Sequence, residues 1–188
     1  MAVEDFARQK GMDCAVEVAV MRVLVVYYSR TGITEKSCRA VAEALKAADE
    51  SVEVEVEEIV DKTDRSGVLG YLGGGKDALL SKPTEIEPVE ADVGAFDLVV
   101  IGTPVWAARC APAVREFCQQ FAEQLDTVAF VATMGGRGDT GAYKEMSKLT
   151  GREPVTTLTL IDRRVRAEDG EEFRAKVEEF ARRLAGQP

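Results

Sequence analysis

Met21-Arg-Val-Leu-Val-Val-Tyr-Tyr-Ser-Arg-Thr-Gly-Ile-Thr34 decides how the rest of the chain is read. The run from Val23 to Tyr28 is apolar at every position, as in a strand covered on both faces. It stops at Ser29-Arg30-Thr31-Gly32-Ile33-Thr34, and a helical pattern starts at once. A buried strand therefore feeds a loop bearing hydroxyls and a glycine, and the loop opens a helix. Unpaired backbone N–H groups and the positive end of the helix dipole converge there, which makes an anion site fit for a phosphate.

The helix is expected over 33–48. Cys38, Val41, Ala42 and Leu45 recur at i, i+3, i+4 and i+7 and form its inner face. Cys38 is thus a core residue. Residues 51–58 then alternate strictly, with Val52, Val54 and Val56 on one side and Glu53, Glu55 and Glu57 on the other. One charged face marks a strand at the edge of a sheet.

Three further strands are expected, over 96–101, 127–132 and 155–161. Between them lie helices carrying Val114, Phe117, Cys118, Phe121 and Leu125, a short helix ending at Gly151, and a last helix with Phe173, Val177, Phe180 and Leu184 facing in. Asp169 and Glu172 have the spacing of a capping box for that last helix. Strands alternating with helices predict a doubly wound, three-layer α/β sandwich with a five-stranded parallel sheet in the order 2-1-3-4-5. Its switch point falls between the first and third strands, at their carboxyl ends.

The 188 residues suit one domain, expected over 21–188, with residues 1–20 as an N-terminal extension. A net charge of −9 argues against a nucleic-acid partner. No apolar run reaches membrane-spanning length, and residues 1–20 do not read as a secretory signal, so the expected place is the cytoplasm with no membrane partner. The four cysteines include no C-x-x-C pair, and histidine is absent. Ser–His and Cys–His catalysis and most transition-metal sites are excluded. Chemistry borrowed from a cofactor remains.

Two other phosphate motifs fail. Gly70–Lys76 spells G-x-x-x-x-G-K, but Asp77 stands where a hydroxyl residue must bind magnesium. Gly136-Arg-Gly-Asp-Thr-Gly141 spells G-x-G-x-x-G, with Asp162 ending the next strand, but it lies outside the first strand–helix–strand unit. The loops after the first, third and fourth strands all reach the carboxyl end of the sheet. The second puts Thr103, Pro104, Val105 and Trp106 just past a strand, where the Trp suits a flat-ring partner. In the third, Thr133, Met134, Gly135, Gly136 and Gly138 let backbone approach a planar ring.

Tyr28-Ser-Arg-Thr-Gly-Ile-Thr34, Gly102-Thr-Pro-Val-Trp-Ala107 and Thr133-Met-Gly-Gly136 together resemble the three FMN-binding loops of the flavodoxin family, in order and spacing over most of 21–185. The resemblance implies a flavodoxin-like fold with FMN as cofactor. Ser29, Arg30, Thr31, Gly32, Ile33 and Thr34 would hold the phosphate. Thr103 to Trp106 would flank the isoalloxazine, and Thr133 to Gly138 would close over its polar edge. Arg109 and Arg137 stand where low-potential carriers of the family tend to place acids, so an arginine at the ring would raise the potential. The resemblance implies an electron carrier between redox partner proteins. The alternative is an NAD(P)H-dependent oxidoreductase passing a hydride to quinones or similar small acceptors.

Overall fold

The computed structural model describes residues 20–62, 84–166 and 170–186. Within them the strands are β1 (Met21–Tyr27), β2 (Val52–Glu58), β3 (Leu98–Trp106), β4 (Arg109–Cys110), β5 (Val128–Met134) and β6 (Thr157–Ile161). The helices are α1 (Ile33–Ala48), α2 (Pro112–Gln120), α3 (Asp139–Thr150), α4 (Asp162–Val165) and α5 (Glu171–Ala185). Short 3-10 turns occupy Val93–Ala95 and Ala122–Gln124. The expected extension, the Gly70–Lys76 motif and Asp169 lie outside the described residues, Val20 apart.

The sheet runs β2-β1-β3-β5-β6, all parallel, with the short β4 antiparallel to the end of β3. That is the expected order; β4 adds one to the later numbers. The register sets Val25 beside Val56 on one side and Val100 on the other. Alternation then divides the central strands between two cores. Leu24, Val26, Val99, Ile101 and Phe130 face α2 and α3, meeting Val114, Phe117, Cys118 and Met146. Val23, Val25, Leu98, Val100 and Val131 face α1 and α5, meeting Cys38, Val41, Leu45, Val177 and Phe180. A strand buried on both faces needs apolar residues at every position, which is what its sequence shows. β2 touches one neighbour only, and its glutamates stay at the rim.

Several boundaries differ from expectation. α2 ends at Gln120, so Phe121 and Leu125, expected on its inner face, lie beyond it on either side of the Ala122–Gln124 turn, and β6 starts at Thr157 where 155 was expected. β3 extends through Trp106 where a loop was expected after Ile101, because β5 continues to pair with it up to Pro104–Thr133 and β4 then folds back on Val105–Trp106. The last helix starts at Glu171 with Gly170 at its N-cap, not Asp169. Glu172 pairs instead with Arg164 and, at 3.6 Å, with Lys176. Gly151 does end α3, in the left-handed region at φ 66°. Among the described residues no helix is long and apolar enough to cross a membrane.

Candidate functional site

The turn from β1 into α1 has the form its sequence predicts. Gly32 occupies the N-cap at φ 78°, a left-handed conformation that glycine adopts without strain. No side chain caps the helix, and its first intrahelical bond runs from Lys36 N to Gly32 O. The N–H groups of the first turn therefore point out of the helix end. Ser29 Oγ is buried beside them with no hydrogen-bond partner among the described residues. A buried polar atom without a partner is costly, so a hydroxyl kept in that state is open to a ligand or a water.

The three loops meet. Arg30, Thr31, Ile33 and Thr34 from the first, Pro104, Val105 and Trp106 from the second, and Thr133, Met134 and Gly135 from the third line one crevice of about 150 Å³. Thr34 and Thr133 are joined directly, hydroxyl to hydroxyl, at 2.9 Å. Ser29, Gly32, Thr103, Gly136 and Gly138 lie outside that lining. Ser29 and Gly32 belong to the helix entry just described. Thr103 is fully buried; its hydroxyl accepts from Ala111 N and donates to Pro104 O, which ties the start of α2 to β3. Gly136 is exposed, and Gly138 packs against the β3–β4 turn.

Trp106 stands both in the core and on the crevice wall. It is 8% exposed and meets Tyr28 edge to face at 5.8 Å, while the Arg30 guanidinium carbon sits 5.8 Å from its ring centre. The two arginines expected near the ring part company. Arg109 turns away and pairs with Glu145 at 3.1 Å. Arg137 is exposed on the third loop.

One lining residue was read only as part of the rejected G-x-G-x-x-G motif and not as part of this site. Asp162, at the start of α4, completes the crevice. Lys36 Nζ donates to Val165 O at 2.6 Å and ties this segment to the first turn of α1. Burial pushes the Asp162 carboxyl above its ordinary value, with Arg166 working weakly the other way. An acid at a strand's carboxyl end was the available signal. The three cysteines among the described residues are inert here. Burial raises the thiols of Cys38, Cys110 and Cys118, the last to about 12, so none is a ready nucleophile.

A crevice walled by three loops at the carboxyl ends of β1, β3 and β5 lies at the switch point of a doubly wound sheet, where such folds bind phosphorylated cofactors. Residues 21–160 match the model of the NADPH-dependent FMN reductase family. The chain belongs to that family and is a flavodoxin-like FMN-binding protein. No curated protein matches it significantly. Solved structures share its fold. A flavoprotein from Lactobacillus acidophilus NCFM in complex with FMN is 20% identical, over 74% of this chain and 93% of its own, with a TM-score of 0.60. The two-electron reduced flavodoxin of Megasphaera elsdenii is 20% identical, over 88% and 99%, with a TM-score of 0.56.

Proposed function

We propose that the protein is an NAD(P)H-dependent FMN oxidoreductase acting on quinones or similar small acceptors. The observation that carries this reading is an arginine beside the crevice on a chain of net charge −9: Arg137 stands exposed on the third loop. It suits an anionic substrate such as a pyridine nucleotide. The family, defined by NADPH-dependent reduction, supports it.

The residues fit the cofactor. The partnerless Ser29 hydroxyl and the uncapped first turn of α1 suit a monophosphate dianion, with the Thr31 hydroxyl and Arg30 alongside. Pro104, Val105 and Trp106 would flank the ring on one side. Thr133, Met134 and Gly135 would meet its polar edge, and Gly135 leaves open space where a side chain would stand. When bound, FMN supplies the redox chemistry, taking a hydride and passing reducing equivalents on. The chain's part is to hold the phosphate, orient the ring and keep water from one face. Asp162, half-buried at the crevice, has its carboxyl pushed above the ordinary aspartate value by burial and puts an acidic group on the crevice wall.

A second reading is a carrier between redox partner proteins, favoured by the net acidity and by the fold shared with flavodoxins. Steady-state NAD(P)H oxidation by FMN-loaded protein with a quinone separates the two. Turnover is expected. Reduction only through a separate reductase would establish the carrier.

A further inference from the structure

The literal G-x-G-x-x-G of residues 136–141 has a use that is not phosphate binding. β3 and β4 form a hairpin in which Trp106 pairs with Arg109 and Val105 with Cys110. Its two turn residues, Ala107 and Ala108, both have positive φ, 51° and 59°. Such a turn matches the twist of the strands but strains any residue with a Cβ and is usually built from Asn and Gly. The strained turn rests on the start of α3. A Cβ on Gly138 would stand 2.9 Å from Ala108 Cα, and one on Gly141 would overlap Ala108 O.

One helical turn beyond Gly141, the Glu145 carboxylate closes on the same hairpin. It is 11% exposed. Its Oε2 accepts from Cys110 N at 3.1 Å and from Cys110 Sγ at 3.2 Å. Its Oε1 accepts from Arg109 Nη1 at 3.1 Å, and from Arg115 Nε and Nη2 at 3.2 and 3.1 Å. Arg115 reaches in from α2 with its side chain 5% exposed. The hairpin is gripped at its tip by glycine backbone and at its base by a buried carboxylate. Both grips come from α3, the helix that the third loop enters.

We infer that Glu145, seated by the glycine notch of α3, is a positioning residue for the FMN site. It holds Val105 and Trp106 at a set distance from Met134 and Gly135, so that the second and third loops form one rigid wall. The inference rests on the cofactor site and is indifferent to the choice between reductase and carrier.

Trp106 is the only tryptophan, so its emission reports the hairpin directly. In the full chain, Glu145→Ala is expected to shift that emission to the red and weaken FMN binding about tenfold, about 1.4 kcal/mol. Gly141→Ala, which changes no charge, is expected to act in the same direction. Arg152→Ala removes an equally local set of bonds at the other end of α3, to Leu125 O and Asp126, and is expected to leave both readouts at wild type. If Glu145→Ala does not fold, Glu145→Gln keeps its size and is read in its place. Folded Glu145 and Gly141 variants with wild-type emission and FMN affinity overturn the inference. If the wild-type protein takes up no FMN, the cofactor assignment fails, and the emission shift still decides whether Glu145 and the notch position Trp106.

Discussion

Thr34 Oγ1 and Thr133 Oγ1 form a buried hydrogen bond of 2.9 Å across 99 positions of sequence. It joins the first turn of α1 to the end of β5 and so pins the phosphate-type loop to the ring-side loop. Replacing Thr34 by Val leaves the Thr133 hydroxyl buried without its partner, which costs ~1–3 kcal/mol. Replacing both removes the orphan. We expect Thr34→Val to lower stability and FMN affinity, and the double Val variant to be less destabilised than the sum of the singles. A double-mutant cycle by chemical denaturation measures this; additive effects would mean that the two hydroxyls do not act as a pair.

Ser29 offers the opposite balance. Its hydroxyl has no partner among the described residues, so Ser29→Ala is expected to leave the FMN-free protein as stable as wild type or more so. FMN affinity is expected to fall about tenfold or more, since a hydrogen bond to a charged group contributes ~1.5–3 kcal/mol. Thermal unfolding without FMN and a binding titration read the two signs separately. A fall in stability with unchanged affinity would remove Ser29 from the phosphate site.

Gly102 lets α1 approach β3. A Cβ there would overlap Cys38 Sγ and stand 3.0 Å from Tyr27 Cβ and 3.4 Å from Thr34 Cγ2. Gly102→Ala is expected to destabilise by ~1–3 kcal/mol, the usual cost of overpacking. Adding Cys38→Ala opens the space and is expected to recover part of it. Denaturation midpoints of the three variants are the check, and no recovery in the double variant would place the strain elsewhere.

Asp162 makes a prediction with a pH sign. Burial raises its folded-state pKa, so the folded protein holds the proton more tightly than the unfolded chain. Its contribution is favourable at acid pH and is lost as pH rises through the raised value. Asp162→Asn is therefore expected to gain stability over wild type as pH climbs from the ordinary aspartate range, ~3.9, to neutrality. It is also expected to bind FMN more tightly at neutral pH by removing a negative charge from the crevice. Stability curves at acid and neutral pH test the first half. An advantage that does not grow with pH would show that the carboxylate is solvated.

Much of the fold was legible because β1 and β2 have opposite patterns. Val23–Tyr28 is apolar throughout and Val52–Glu58 alternates, and only a covered central strand beside an edge strand meets both demands. The loops after β1, β3 and β5 were legible for the same reason: each follows a buried strand, so each must emerge at the sheet's carboxyl end. The reach of β3 was not. Thr103 to Trp106 read as loop because their continuation depends on a partner, Thr133 in β5, and on the fold-back of β4, neither of which is encoded locally. Arg109 was misjudged likewise. The family resemblance put it on a ring-side loop, and its partner in the fold is Glu145 on α3.

By itself the sequence determined the layers, the strand order and the strand–loop–helix form of residues 21–34, since these follow from periodicity and from residue types that act within a few positions of one another. Only the tertiary structure decided which hydroxyls are spent and which are spare. Thr103 serves Ala111 N, Thr34 serves Thr133, and Ser29 Oγ has no partner among the described residues. It also decided that the glycines at 138 and 141 seat a hairpin. Those outcomes depend on contacts between segments far apart in the chain. A hydrogen bond or a close approach needs angstrom placement of both partners, which packing supplies and local pattern does not.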